Sequence, residues 1–308
     1  MGLNVSEART VFQNELDKQM MEELTSSFMD DNAGEVIYEG GSEIKIPSIE
    51  MDGLKEYSRK DGYPEGGVSL SYETMKMTMD RGASFQLDAM DVAESNFLAA
   101  AGTVMGEFQR LKVAPEVDAY RYSSIYKRMS EDKASNVVTK ALTASSVYAS
   151  LIEDMERVRD ECGQSTPLVI LMSGPTRTLL YKSSEFTKNV TQAEFKAGNI
   201  TTKVKSIDEC PIIPVPSARM YTKYTFHKGN ELEGETSGFE KGEDAKLMNY
   251  IIMPKRAVIG VCKQDKPKII TPEINQKADA WLVAYRKFHD AWIKKSMLDA
   301  IRVSVGNA

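Results

Sequence analysis

Histidine is scarce in this chain: His227 and His289 are the only two among 308 residues. Neither stands in a spacing that suggests a Ser-His-Asp or Cys-His arrangement. There is no HExxH, so the common zinc-hydrolase pattern has no support. No GxxxxGK[ST] occurs, which removes the phosphate-cradling loop and its lysine, and no GxGxxG follows a strand. The segment DDNAG, 30–34, lacks the ligand spacing of a calcium loop. Cysteine is limited to Cys162, Cys210 and Cys262, with no CxxC pair. An odd, widely spaced set reads as free thiols in a reducing compartment. No apolar run approaches the roughly 20 residues of a membrane helix. The opening residues are charged and have no apolar centre, so no secretory signal is expected. A net charge of −6 argues against a dedicated nucleic-acid binder.

Hydrophobic residues make up 42% of the chain, enough for one large domain or two smaller ones with a real core. In the first 33 residues Phe12, Leu16, Met20, Leu24 and Phe28 recur every four positions, a narrow apolar stripe. An arm of this kind has little core of its own and needs a partner surface. Residues 35–50 read as two short strands around a Gly40-Gly41 turn, with Ile44 and Ile46 alternating against Glu43 and Lys45. Residues 54–88 read as a long hairpin whose tip is marked by Pro64, Gly66 and Gly67. Beyond the tip, Tyr72, Met75, Met77 and Met79 alternate with polar residues. The methionines suit either an adaptable contact surface or an ordinary strand face. Asp80 and Arg81 read as an exposed ion pair, worth under about 1 kcal/mol.

Residues 89–113 have the pattern of a long helix that Pro115 stops. A second helix is expected from about Lys133 to Cys162, ended by Gly163. The run TPLVILMSG, 166–174, is continuous and apolar, as in a buried central strand. Ser173 and Pro175 fit the cap and first turn of a short helix through Lys182. Further strands are expected at 210–216, 249–253 and 266–271, with a glycine-rich charged loop over 228–246. A last helix is expected over 275–296, with Trp281, Tyr285, Phe288 and Trp292 on one face as core. Pattern alone therefore gives an α+β protein without a visible active site.

Two stretches carry a resemblance. One is Tyr57 to Ser123, which includes DRGASFQLDAMDVAE and VAPEVDAYR. The other is KPKIITPEINQKADAWLVAYRKFHDAWI, Lys266 to Ile293. Both resemble major capsid proteins of tailed phages infecting Gram-positive bacteria, and the likeness spans about 34 to 296.

The resemblance implies a Hong Kong 97-type capsid fold. It implies an N-terminal arm (1–34), peripheral-domain strands (35–53) and an extended loop (54–88). A peripheral part with the spine helix (89–134), an axial domain (135–255) and a peripheral return with a C-terminal helix (256–308) would follow. The function implied is non-enzymatic: self-assembly into pentamers and hexamers of an icosahedral head around double-stranded DNA, without sequence-specific binding, cofactor, metal or membrane. The partners implied are further copies, a portal and a scaffold; the chain looks too short for a cleaved scaffolding segment of its own. The location implied is the virion, after assembly in the host bacterial cytoplasm. The residues of a Lys-Asn cross-link cannot be mapped by motif. Phe12, Leu16, Tyr72, Met75, Met77, Met79, Asp80 and Arg81 are the expected inter-subunit contacts. The competing readings are an encapsulin-like nanocompartment shell protein, which shares the fold, and an unrecognised α/β enzyme.

Overall fold

The computed structural model describes residues 23–60, 62–88, 105–189, 191–197, 200–229, 236–270 and 272–306. The described residues include first a 3-10 segment, Ser27–Glu35. Strands β1 (Ile37–Gly40) and β2 (Glu43–Met51) then turn at Gly40-Gly41, where both glycines hold positive φ. Strand β3 (Val68–Lys76) pairs antiparallel with β2, and β4 (Met79–Asp88) follows directly. The hairpin is therefore β2 and β3, closed by the tip 52–67. The expected strand before Pro64 is not one, and the residues beyond Lys76 leave the hairpin for another sheet.

Pro115 does not stop the helix. The described chain is helical from 105, widens into a π turn at Gln109–Val113, and continues as α1, Ala114–Asp132. A proline in a helix removes one N–H and crowds the carbonyl four residues back. The π turn relieves that demand: the Ala114 N–H reaches the Gln109 carbonyl, and Pro115 sits in the first turn of α1. The expected helix over 89–104 lies outside the described residues.

The expected helix from Lys133 starts later than its pattern suggests. Val137–Thr139 is strand β5, and α2 covers only Val147–Cys162. The central run behaves as expected: β6, Leu168–Ser173, is buried throughout. Then come α3 (Gly174–Lys182), α4 (Ser184–Asn189), β7 (Thr191–Ala197), β8 (Ile200–Ile207) and β9 (Cys210–Val215). Strand β11 (Ser237–Lys241) lies inside the stretch expected to be a loop and forms a hairpin with β10 (Tyr224–Lys228). The last strands are β12 (Met248–Pro254), β13 (Val258–Ile270), β14 (Ala280–Ile293) and β15 (Arg302–Val305).

The largest correction is β14, where a helix was expected. Its odd positions 283 to 293 are all buried, a period of two, and it pairs with β13 on one side and β4 on the other. Trp281 and Trp292 have opposite parity, so they lie on opposite faces rather than one. Aromatic spacings of four, three and four fit a helical stripe, whereas in a strand the step of three changes face; pairing with two neighbouring strands selected the extended form.

Two sheets organise the body. A seven-stranded mixed sheet has the order β5-β15-β12-β6-β9-β8-β7. Its two faces carry separate clusters, one around Leu171, Ile251 and Phe28, the other around Leu151, Ile170 and Tyr250. A three-stranded sheet, β13-β14-β4, packs beside α1. Residues 302–305 pair in the seven-stranded sheet, with β12 and β5.

Candidate interaction surfaces

The β2–β3 hairpin reverses its apolar face partway along. Residues paired across an antiparallel ladder share a face, and successive residues alternate. At the base, Ile44 pairs with Met75 and Ile46 with Glu73. Ile44 and Ile46 are buried there with Val36, Met77, Ile259 and Val261. Further out, that same face carries Ser48 opposite Ser71. The opposite face takes over the apolar residues: Pro47 pairs with Tyr72 and Met51 with Val68. Val68, Leu70 and Tyr72 are 70%, 55% and 48% exposed, and Met51 73%. A strand that alternates Val, Leu and Tyr into water exposes far more contiguous apolar surface than a solitary domain needs.

The tip beyond is ordered by its own bonds. The Asp52 N–H donates to the Gly67 carbonyl at 3.0 Å, and the Gly67 N–H donates back to Asp52 Oδ2 at 3.0 Å. Lys55 Nζ donates to Asp52 and to the Glu65 carbonyl. These donors hold the Asp52 carboxyl below its ordinary pKa. Tyr57 and Tyr63 pack ring to ring at 5.2 Å, and Leu54 and Tyr63 are fully or nearly fully exposed.

The arm behaves in the contrary way where it is described. Leu24 and Phe28, expected to need a partner, are buried in the chain's own body, as is Met29. The buried Asp118 carboxylate accepts the backbone N–H and hydroxyl of both Thr25 and Ser26, and Arg219 at 2.9 Å. Arg121, 1% exposed, donates to the Ser26 carbonyl and hydroxyl and to both oxygens of Asp30. Gly260 makes room for this pair: a Cβ there would lie 2.5 Å from Asp30 Oδ1. Neither Asp118 nor Arg121 was singled out as an anchor in the sequence, although both lie in the string VAPEVDAYR.

The expected contact residues separate into groups. Phe12 and Leu16 lie outside the described residues. Tyr72 is exposed on the outer face, whereas Met75 is half-buried on the inner one; their parity differs, so they do not form one stripe. Met77 and Met79 are buried and belong to the body. Asp80 and Arg81 do not pair, because neighbours on a strand point to opposite faces. Asp80 binds Arg286, which holds its carboxyl below the ordinary range. Arg81 binds Glu116 at 2.6 Å and donates to the carbonyls of His227 and Gly238, tying the β10–β11 hairpin to α1 and β4.

Burial pushes the Cys262 thiol up to about 11 and the Cys210 thiol upward as well, so both stay protonated at neutral pH. His289 is buried beside Tyr120, and burial first, then Arg121, Lys287 and Arg81, push its pKa well below 6.5. No metal-ligating group of three or more side chains occurs among the described residues, and none of their helices is long and apolar enough to cross a membrane.

No protein-family description and no curated protein matches the sequence. Solved structures do match the fold. The capsid structure of cyanophage P-SCSP1u gives a TM-score of 0.55 at 10% identity, covering 88% of this chain and 85% of that one. Mycobacterium phage Ogopogo gives 0.55 at 9% identity, covering 91% of each. The mature capsid of bacteriophage PhiM1 gives 0.53 at 14% identity, covering 88% and 84%. The chain thus has the mixed α and β fold of phage capsid subunits.

Proposed function

We propose that this chain is the major capsid protein of a tailed phage, with a Hong Kong 97-type arrangement. Copies assemble into pentamers and hexamers of a shell that encloses double-stranded DNA in the virion, and the role is structural rather than enzymatic. The observation that carries this reading is the reversed hairpin. Its distal apolar face is opposite the face that packs on its own body, so its burial has to come from another molecule. The fold shared with capsid subunits supports a second copy of this chain as that molecule.

In this reading β2, β3 and the tip 52–67 form the extended loop, in place of 54–88. The three-stranded sheet and α1 form the peripheral domain, and the seven-stranded sheet the axial domain. The clasp at Asp118 and Arg121 holds Thr25, Ser26 and Asp30, within the expected arm 1–34, on the subunit's own body. A closed shell repeats one set of contacts around symmetry axes, and each contact can be modest because every subunit makes several. The net charge of −6 is consistent with enclosing DNA without gripping it, since phosphate binding scales with basic contacts.

Electron microscopy of the purified chain, with and without a scaffold partner, tests the proposal. Rings, tubes or shells are expected from the natural sequence. The triple variant Val68→Ser, Leu70→Ser, Tyr72→Ser should remain folded and fail to form them. Normal shells from that variant would refute the role given to the outer face. A chain that stays monomeric at high concentration under every condition would refute the capsid reading as a whole.

A further inference from the structure

The two ends of the seven-stranded sheet carry opposite charge. The segment from Gly174 to Ile207, which builds the β7 end, holds six Lys or Arg residues and two Glu. The chain is at −6 overall, so everything outside this segment carries a surplus of ten negative charges. Two of these cations, Arg177 and Lys205, are positioned by one aromatic ring. Arg177 Nε donates to the Tyr181 hydroxyl at 2.9 Å, and its guanidinium stands 5.0 Å from the ring centre. Lys205 Nζ stands 4.1 Å from the same ring, and Tyr181 itself stacks on Phe186. Lys182 and Lys205 are exposed. Strand β7 ends the sheet, and none of the described residues pairs with its outer edge.

The β5 end is the complement. There the C-terminal end of α2 meets the starts of β5 and β15 around a cleft of about 310 Å3. Asp160, Glu161 and Asp299 line it, all exposed, and Glu131 is exposed at the nearby end of α1. The α2 C-terminus adds its own partial negative charge. Several charges around the cleft are already engaged, Arg302 with Asp154, Arg157 with Glu153 and Asp299 with Lys133 at 2.6 Å, so the acids that face a partner are Asp160 and Glu161.

We infer that the basic β7 end of one subunit docks on the acidic β5-end cleft of the next, an ion-paired head-to-tail contact that closes the capsomer ring. This rests on the proposed shell function and names the surfaces that the ring uses. A ring around one axis needs two different patches that match each other, and a single sheet with oppositely charged ends supplies both. Charge complementarity of this kind sets register and speeds encounter, and it is weakened by salt.

The experiment compares assembly of the full chain across salt concentration by light scattering and electron microscopy. The natural chain is expected to lose assembly rate as salt rises from about 0.05 M to about 0.5 M. The variant Lys182→Glu/Lys205→Glu should assemble about tenfold more slowly or less. Adding Asp160→Lys/Glu161→Lys to it should restore assembly, which a misfolded protein could not do. If the first variant assembles like the natural chain, or rescue fails while the variant remains folded, the inference is overturned and the shell reading stands. If reversal leaves assembly intact and only reduces retention of double-stranded DNA, the basic end faces nucleic acid and the inference is again overturned. A natural chain that never assembles overturns both.

Discussion

Strands β6 and β3 make an instructive pair. LVILMS in β6 is buried at every position, at the centre of seven strands. VSLSYETMK in β3 has Val, Leu and Tyr in alternation, yet its first five residues are all exposed. Apolar content alone does not bury a strand; it needs covering layers on the faces that carry it. β6 has α2 and α3 on one side and α1 on the other, while the distal part of β3 has only β2 beside it. A residue in β6 should therefore hold the subunit together, and a residue in distal β3 should hold subunits to one another.

Four measurements sharpen this division. The largest effect is expected away from both strands, at the clasp. Asp118→Ala removes the acceptor that Arg219 and the N–H and hydroxyl donors of Thr25 and Ser26 share, and should cost about 3–5 kcal/mol in a denaturant titration. Next comes β6: Leu171→Ala should cost about 2–5 kcal/mol through lost burial and the cavity left behind. A cost below about 1 kcal/mol would mean that the sheet centre is not the body's core.

The third measurement is a pH titration of stability. His289 has a folded-state pKa well below the ordinary 6.5, because it is buried and faces Arg121, Lys287 and Arg81, with Asp290 adjacent. Between its folded value and 6.5 the unfolded chain binds a proton that the folded chain refuses. Stability is therefore full above about pH 6.5 and declines as pH falls through that window. The folding equilibrium constant drops by at most about tenfold for each pH unit crossed. His289→Gln should flatten the decline; an unchanged slope would show that other groups set it.

The smallest effect on stability is expected in distal β3. Leu70→Ser should change unfolding by no more than about 0.5 kcal/mol, while reducing assembly. Removing the tip, 52–67, should likewise spare the fold. A longer deletion over 60–80 would not test the same thing, because it also takes Met77 and Met79 out of the body.

Legibility from sequence followed how local each determinant was. The Gly40-Gly41 turn, the buried run of β6 and the Ser173 start of α3 each depend on a few adjacent residues, and all were readable. Strand β14 was not: Trp281, Tyr285, Phe288 and Trp292 fit a helical stripe, and only pairing with β13 and β4 selects the extended form. Pro115 reads as a stop because the compensating π turn is a property of the ladder around it. The clasp was hidden for another reason. Asp118 and Arg121 look like ordinary charges on a helix until Thr25, Ser26 and Asp30, some ninety residues earlier, are brought against them.

The amino-acid sequence by itself determined the elements whose physics is short-range: the Gly40-Gly41 turn, the Ser173 start of α3 and the apolar central strand. Tertiary structure alone decided which faces are covered. Burial belongs to pairs of surfaces, and the partner of any given face can be a hundred residues away in the chain, or in another copy of it.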